Sequence, residues 1–214
     1  WFVTDWRNKR LEHGIKPSTQ NRNTALLRAL LSKAVEWDVI ASNPMRRVKQ
    51  LKLDKTPKVR YLNRSEEERL ISALKERDSR LFEGRVNANK WRKNRNYKTL
   101  PEYSADDYWD YLTPLVLLCM NTGIRRGEAF DLTWENVDLQ AKLLTITGDS
   151  AKSSNTRYIP LSKQANACLS KWRVQQREST GLIFRSPVTG KRLNNVYKAW
   201  ESLKKSAGIT NFRF

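Results

Sequence analysis

The sequence predicts a mainly α-helical protein with one small antiparallel β-sheet. Three observations support this prediction: apolar residues at helical spacing in residues 1–50, a long apolar run at Tyr108–Asn121, and two short alternating runs further on. The alternating runs, Leu143–Thr147 and Arg157–Leu161, contain β-branched residues and flank a polar tip, which indicates an antiparallel pair. The chain has no internal repeat.

The first 50 residues are predicted to be all-helical. The first helix is expected to end at Gly14, which acts as a C-cap. His13, the only histidine of the chain, then becomes a helix-end residue that suits the helix dipole rather than a catalytic group. Ser18 or Thr19 is expected to cap the second helix.

The second helix has an apolar face and a polar face. The apolar face is predicted to be core because its residues recur at helical spacing: Ala25, Leu26, Ala29, Leu30, Ala34 and Trp37. The polar face carries Asn21, Arg22, Asn23, Arg28 and Lys33. It is either simply solvated or in contact with a polyanion, and both interpretations stay open at this point.

The basic residues 51–60 are predicted to link a first domain, 1–50, to a second domain, 61–214. Asn63 or Ser65 is expected to cap a helix that runs to about Arg80, with acids in its first turn. Residues 81–108 are basic and contain interleaved aromatics. They either continue the helix into a long loop or become ordered on nucleic acid, and a solvated insertion is the alternative.

The remaining elements are short. A helix is predicted over Glu128–Leu132, and Ser162 is expected to cap a helix that ends near Arg177. Residues 182–184 are predicted to be extended and 187–190 to form a turn. A last helix is predicted over Leu193–Ala207, with Val196, Trp200 and Leu203 on its buried face.

The charge of the chain restricts its partners. The formal net charge is +19 over 214 residues, and the pI is near 10.2. The positively charged side chains repel one another unless a polyanion is bound. Nucleic acid is therefore favoured as the partner over an anionic membrane surface. No apolar run is long enough for a transmembrane helix, and no signal peptide is evident. Two cysteines, Cys119 and Cys168, are too few for a disulfide framework or a metal site and are typical of a reducing cytoplasm.

Several motifs follow one another in the middle of the chain. Thr122–Glu128 reads TGIRRGE, and Leu132–Asp138 reads LTWENVD. Lys152 lies between the two predicted strands, and Arg157–Leu161 reads RYIPL. In this order, the motifs resemble the catalytic domain of the tyrosine recombinases, the phage integrase family.

This resemblance implies two domains. Residues 1–50 would be part of a helical, SAM-like core-binding domain, and 51–60 a basic linker that follows the duplex. Residues 61–214 would be part of the α+β DNA breaking–rejoining catalytic domain, truncated here. The implied partner is double-stranded DNA with inverted-repeat core sites, on which the whole protein assembles as a tetramer.

The resemblance also implies a chemistry without metal or cofactor. A tyrosine hydroxyl attacks a DNA phosphodiester, Arg125 stabilises the growing charge, and Lys152 protonates the leaving 5'-oxygen. Glu128 is expected to orient the guanidinium. The expected DNA contacts are Asn21, Arg22, Arg28, Lys33, Arg46, Arg47, Lys49, Lys52 and Arg126.

The chain departs from the family pattern in one respect. The family also requires an H-x-x-R box and a nucleophilic tyrosine, but His13 is the only histidine and none of the seven tyrosines has the expected context. We therefore expect an internal fragment of an integrase that binds duplex DNA and does not cleave it. A degenerate, non-catalytic DNA-binding regulatory module is the alternative, and a generic basic RNA-binding or structural protein is a third interpretation.

Overall fold

The computed structural model describes residues 2–53, 60–104, 106–148, 155–177 and 180–214. The chain divides into two compact units, Trp1–Val59 and Arg60–Phe214, called here the N-terminal unit and the C-terminal unit. The N-terminal unit is helical, and the C-terminal unit combines helices with one three-stranded sheet. The predicted fold class, mainly α with a small antiparallel sheet, is confirmed.

In the N-terminal unit, residues 2–53 form two helices and a 3₁₀ turn, namely α1 (Phe2–Glu12), α2 (Pro17–Glu36) and Pro44–Arg47. Proline is favoured in the first helical turn, since its missing N–H would have no partner there. Helix α2 therefore begins at Pro17, and Lys16 occupies the N-cap without a side-chain bond. The prediction that Ser18 or Thr19 caps this helix is wrong, because the proline sets the N-cap two or three residues earlier, at Lys16.

The apolar face of α2 does not form the core of this unit. Leu26 and Leu30 are each 63% exposed, and Trp37 is also exposed. The buried residues of α2 are instead Gln20, Asn21 and Thr24, on the polar side of the helix. The prediction is wrong because helical spacing shows which residues share a face but not which face the rest of the chain covers.

Side-chain bonds to the backbone hold the chain after α2 against the polar face of the helix. The Asn21 amide donates to the Leu51 carbonyl at 2.9 Å and accepts from the Leu51 N–H at 2.8 Å. Asn43 donates to the Arg28 carbonyl at 3.0 Å and accepts from the N–H of Met45 at 2.8 Å. Among the residues described in this unit, Met45 is the one buried apolar side chain.

The described residues of the C-terminal unit form five α-helices: α3 (Arg64–Lys93), α4 (Leu112–Thr122), α5 (Arg126–Asp131), α6 (Lys163–Gln176) and α7 (Tyr197–Ser206). Two predicted caps are confirmed, since Asn63 forms a reciprocal capping box with Glu66, and the Ser162 hydroxyl accepts from the Ala165 N–H. Helix α3 passes the predicted end near Arg80 and continues to Lys93, so the alternative of a continued helix is correct.

Two helices begin later than predicted. Helix α4 begins at Leu112 rather than Tyr108, because the Asp110 carboxylate accepts from the Leu112 N–H at 2.9 Å and sets the start there. Helix α7 begins at Tyr197 rather than Leu193, since Arg192 is still paired in an extended bridge with Arg185. The predicted buried face of α7 is confirmed.

The sheet is antiparallel and has the order β1 (Val137–Asp138), β2 (Leu143–Ile146) and β3 (Arg157–Pro160). The β2–β3 pair is the predicted one, and β1 is an addition that the sequence did not indicate. Leu144 pairs with Ile159, and Ile146 pairs with Arg157. Because side chains alternate along a strand, Leu144 and Ile146 both point into the core and are buried.

Two apolar clusters form the core of the C-terminal unit. The first joins the sheet, α4, α5 and α6 through residues such as Leu115, Phe130, Leu144, Leu169 and Phe184. The second joins α3, α4 and α7 through residues such as Leu70, Leu112, Val116, Trp200 and Leu203. Helix α4 contributes to both clusters, which explains why its sequence is apolar on all sides.

Burial raises the pKa of the Cys119 thiol to about 12 and also raises the pKa of Cys168. Both thiols therefore stay protonated near neutral pH, which makes them poor nucleophiles. The described residues contain no cluster of His, Cys, Asp and Glu that could hold a metal ion. None of the described helices is long and apolar enough to cross a membrane.

Candidate functional site

A sharp turn after α4 places Arg125 at the start of α5. Gly123 caps α4 with φ of +66°, a left-handed conformation that glycine adopts without steric cost. Arg125 then takes an extended conformation as the N-cap residue of α5. Because α4 and α5 are both packed into the apolar core, the backbone on either side of Arg125 is fixed.

The side chain of Glu128 is buried at the base of this turn, with 3% of its surface exposed. Its carboxylate accepts four hydrogen bonds. The Arg125 backbone N–H and Nη1 donate at 2.8 and 2.9 Å, and Arg157 Nη1 and Nη2 donate at 3.0 and 2.6 Å. We call these three residues, Arg125, Glu128 and Arg157, the Glu128 clamp.

Two guanidinium groups on one carboxylate determine the charge state of the clamp. Burial alone would raise the pKa of Glu128, but the hydrogen bonds from Arg157 and Arg125 outweigh burial and leave that pKa below its ordinary value. Glu128 is therefore ionised near neutral pH, and the three groups carry a net charge of +1. An anion is attracted to such a cluster.

Arg125 is positioned to meet that anion. Its side chain is 58% exposed, whereas its Nη1 is bound to the buried Glu128. Among the residues that the structure describes, no hydrogen-bond acceptor occupies its Nε or Nη2. A guanidinium offers its donors in a rigid planar fork, so fixing one nitrogen also fixes the direction of the others. The geometry suits a phosphate with two oxygens facing the fork.

Arg157 is a member of the clamp that the sequence alone did not single out as a candidate. It lies 29 residues after Glu128, and the β2–β3 register brings the start of β3 to the clamp. Its pairing position opposite the buried Ile146 depends on that register, which no local pattern reveals. The one signal in the sequence is its place at the head of the RYIPL motif.

Two further candidates lie near these elements in the chain. Lys152, the predicted proton donor, lies outside the described residues. The strands on either side of it are described, and the Gly148 N–H beyond β2 donates to the Thr156 hydroxyl before β3 at 3.1 Å. Arg126 is exposed and makes no side-chain hydrogen bond or ion pair within the described parts of the chain.

In the N-terminal unit, Asn21 differs from its predicted role. The sequence places it on the DNA-contacting face, but it is buried, and both ends of its amide are bound to Leu51. Because this side chain is buried and bound to the Leu51 backbone, it is a poor candidate for a DNA contact. Of the other candidates in this unit, Arg28 is half-buried. The remaining six are exposed: Arg22, Lys33, Arg46, Arg47, Lys49 and Lys52.

A shallow pocket of about 550 Å³ brings several of these candidates together. It is lined by Arg28, Arg46 and Lys49 with Ser32, Asn43, Val48 and Gln50, and it contains no acidic side chain. Arg28 donates to the Val48 carbonyl, while its buried Nε has no partner. Three cations and an unused donor around one pocket make it attractive to an anion such as a phosphate group.

Comparison with known proteins agrees with the motifs and the fold. Residues 91–214 match the phage integrase family, and residues 2–52 match the phage integrase N-terminal domain. The chain belongs to the phage integrase family. This family comprises the tyrosine recombinases, so the resemblance seen in the sequence is confirmed.

Two curated relatives extend beyond the matched region. A putative integrase/recombinase of Haemophilus influenzae is 28% identical over 209 residues, covering 97% of this chain and 48% of the relative. The integrase of Salmonella phage P22 is 25% identical over 207 residues, covering 92% of this chain and 44% of the relative. The chain thus spans about half the length of the curated relatives it matches.

Solved structures share the fold of this integrase chain. One is the Tn1549 transposon integrase in complex with a circular intermediate DNA, with a TM-score of 0.63 and 16% identity, covering 96% of this chain and 63% of the other. Another is a lambda integrase dimer bound to a COC' core site, with a TM-score of 0.64 and 16% identity, covering 97% and 62%.

Proposed function

We propose that this chain is the part of a site-specific recombinase that binds duplex DNA and holds the phosphate to be cleaved. The observation that carries the proposal is the Glu128 clamp, in which a buried carboxylate fixes the exposed Arg125 guanidinium. Family membership and the integrases among its relatives supply the reaction class: DNA strand cleavage through a 3'-phosphotyrosine, as in phage and mobile-element integrases.

In this proposal Arg125 is the catalytic residue of the clamp. It contacts non-bridging oxygens of the scissile phosphate, whose charge grows as the pentavalent transition state forms. A donor aimed at such an oxygen typically accelerates the reaction by about 10²–10³-fold. Glu128 and Arg157 are positioning residues, because the carboxylate directs the Arg125 fork and Arg157 helps to hold the carboxylate.

Lys152 completes the proposed chemistry as the general acid. When a tyrosine oxygen attacks phosphorus, the bond from phosphorus to the 5'-oxygen breaks, and the leaving oxygen requires a proton. Lys152 lies in the sequence between β2 and β3, two strands that pair with each other, and we assign it this proton transfer. The step uses no metal and no nucleotide cofactor.

The cations outside the Glu128 clamp are proposed to hold the DNA backbone. Arg28, Arg46 and Lys49 take one phosphate in the pocket of the N-terminal unit, and further cations bind neighbouring phosphates: Arg22, Lys33, Arg47, Lys52 and Arg126. These contacts position the duplex without reading its sequence. The proposed target has inverted-repeat core sites, on which the recombinase acts as a tetramer in the cytoplasm.

We further propose that the chain binds DNA without cleaving it. Its only histidine, His13, is followed three residues later by Lys16 rather than by an arginine, so the sequence contains no H-x-x-R box. The same observation favours a second candidate function, a degenerate module that occupies recombination sites without catalysis. Such a module needs no specific contact to a scissile phosphate, so Arg125→Ala would weaken its binding no more than Arg126→Ala.

Selection from a randomised duplex library, at near-physiological salt, tests the proposal. We expect the chain to enrich a defined core half-site and Arg125→Ala to bind the selected duplex less tightly than Arg126→Ala. Binding that enriches no sequence and disappears as salt rises would contradict the proposal, because it would reflect net charge alone. A suicide duplex built on the selected site should give no covalent adduct, and an adduct would contradict the predicted lack of cleavage.

A further inference from the structure

The last turns of α3 and the loop that follows have an unusual composition. Residues 85–98, called here the basic arm, contain six Lys or Arg including Arg85, four Asn and no Asp or Glu. They also contain Trp91 and Tyr97. Nothing in the proposed role of the Glu128 clamp uses this segment, and none of the described contacts of the arm involves α5, β2 or β3.

The arm is ordered without an apolar core. The buried residues of α3 are Leu70, Ala73 and Leu74 in its first half, and then only Asn89. The Asn89 amide donates to the Leu100 carbonyl at 3.0 Å and accepts from the Leu100 N–H at 2.8 Å. These two polar bonds hold the chain that follows α3 against the helix at Leu100.

Arg85 anchors the base of the arm. Its guanidinium donates to the Pro101 carbonyl at 2.8 Å and lies 5.4 Å from the Tyr103 ring centroid and 5.0 Å from that of Trp109. Helix α3 is about 45 Å long at 1.5 Å per residue. The bonds of Arg85 and Asn89 hold the returning chain without the side chains of outer residues such as Lys90 and Lys98.

Those outer residues form a cationic surface around an aromatic pair. The Trp91 and Tyr97 rings stack with centroids 5.7 Å apart, and the Arg95 guanidinium lies 4.4 Å from the Trp91 centroid. The cations Lys90, Lys93, Arg95 and Lys98 are all exposed. Within the described residues their one ion pair joins Lys93 to Glu102 at 3.8 Å, with both groups exposed and the pair correspondingly weak.

Complementing the helix dipole does not account for this charge. The C-terminus of a helix carries about half a negative charge, which one cation satisfies. The last turn of α3 has three cations, Lys90, Arg92 and Lys93, and two more follow the helix. Trp91 and Tyr97 are also 50% and 56% exposed on the same element. Exposed aromatics among cations that lack strong ion pairs indicate a surface for an anionic polymer.

We propose that the basic arm is an accessory contact for the phosphate backbone of duplex DNA, separate from the Glu128 clamp. The inference rests on the proposed function, since it assigns a second contact to the same DNA. A duplex fits better than a single strand, because the Trp91 ring already stacks on Tyr97 and lies 4.4 Å from the Arg95 guanidinium, which takes up ring surface that stacked bases would need. The asparagines add neutral donors for phosphate oxygens.

The test compares two variants that each lose four exposed cations. The arm variant carries Lys90→Gln, Lys93→Gln, Arg95→Gln and Lys98→Gln. The control carries Lys75→Gln, Lys191→Gln, Lys198→Gln and Lys205→Gln, which are exposed in the same unit. The DNA is the duplex selected with the unmodified chain, lengthened by flanking base pairs. Fluorescence anisotropy measures the affinity of each variant for this DNA over a salt series. Circular dichroism verifies that both variants are folded.

Each phosphate contact contributes about 0.9 to the slope of log affinity against log salt. We expect the slope to fall by about 2 to 4 for the arm variant and by less than about 1 for the control. Hydroxyl-radical footprinting should show that the arm variant loses protection at phosphates that Arg125→Ala still protects. Equal slopes for the two variants, or a larger loss on single-stranded than on duplex DNA, would overturn the arm proposal.

The two failures are distinguishable. If the unmodified chain enriches no duplex sequence, the proposed function fails before the arm is tested. If it binds its selected site and the two variants behave alike, the proposed function stands and the arm is only a solvated surface.

Discussion

Each of the two units of this integrase chain is stabilised internally by a different kind of interaction. In the N-terminal unit, the side chains of Asn21, Arg28 and Asn43 hold the chain after α2 by bonding to backbone groups. In the C-terminal unit, two apolar clusters bring the helices and the sheet together. The backbone that carries the exposed cations of the N-terminal unit is therefore held by polar bonds, whereas the backbone that carries the Glu128 clamp is held by a close-packed core.

This contrast fits the proposed tasks of the two units. A group that stabilises a transition state must be held within a fraction of an ångström, which a packed core provides. A group that positions a duplex through phosphate contacts tolerates more freedom. Substitutions in each unit test this difference, and their expected effects on stability decrease in the order Phe184→Ala, Glu128→Gln, Asn21→Ala and Leu26→Gln.

The strongest destabilisation is expected for Phe184→Ala, which removes a fully buried ring from the first apolar cluster. We expect the free energy of unfolding of the C-terminal unit to fall by about 3–5 kcal/mol in urea titrations. Hydrogen exchange in α2 should not change, because neither apolar cluster contains a residue of the N-terminal unit. Val188→Ala, at a highly exposed position, is the control, and faster exchange in α2 would contradict the separation of the units.

Glu128→Gln should rank second, since it leaves Arg125 and Arg157 without their shared carboxylate. Removing one partner of a buried ion pair costs about 3–5 kcal/mol, and the exposure of both arginines places this case at the lower end. Urea titrations measure the loss, and exposed Glu67→Gln is the matched control.

The effect of Glu128→Gln should depend on pH in a defined direction. The pKa of Glu128 is lowered in the folded chain, so its carboxylate adds stability above its ordinary value of 4.5. That contribution is lost as pH falls through the lowered pKa. The difference between the original chain and Glu128→Gln should therefore shrink below pH 4.5, and a difference that grows there would show the opposite shift.

Asn21→Ala should have an intermediate effect within the N-terminal unit. It removes both bonds to Leu51, at a cost of about 1–3 kcal/mol for the buried groups left unpaired. We expect faster hydrogen exchange at the Leu51 amide and little change in the C-terminal unit. Asn23→Ala removes a nearby amide that has no such bonds, and equal effects of the two substitutions would show that the Leu51 bonds do not hold the unit together.

The weakest effect is expected for Leu26→Gln in the exposed apolar face of α2. Because the side chain is largely in water, the free energy of unfolding should change by less than about 0.5 kcal/mol. Equilibrium unfolding at two protein concentrations gives a direct check. A larger loss that depends on concentration would show that another copy of the chain covers this face.

Local signals in the sequence are sufficient for much of the fold. The caps at Asn63 and Ser162, the apolar helix α4 and the β2–β3 pair depend on residues close together in the chain, and the structure has all of them. The same reasoning fails for α2. Its apolar stripe satisfies the helical period, but the side of the helix that is covered depends on Leu51 and Met45, far along the chain.

The candidate site shows the same limit. Arg125 and Glu128 are three residues apart, so their spacing on one helical turn is enough to indicate that the two side chains meet. Arg157 reaches Glu128 only because β3 pairs with β2 in one particular register. No periodicity around Arg157 reports that register, which is set by which side chains of the two strands enter the core.

The proposed function depends above all on Arg125, held by Glu128, contacting one phosphate of the bound duplex. The most direct measurement replaces each phosphate of the selected duplex in turn with an uncharged methylphosphonate and compares affinities for the original chain, Arg125→Ala and Arg126→Ala. We predict one phosphate position where the replacement lowers the affinity of the original chain for the duplex about tenfold. At the same position the affinity of Arg125→Ala should hardly change. If the loss at every position is the same for the original chain and Arg125→Ala, Arg125 contacts no phosphate and the proposed function is contradicted.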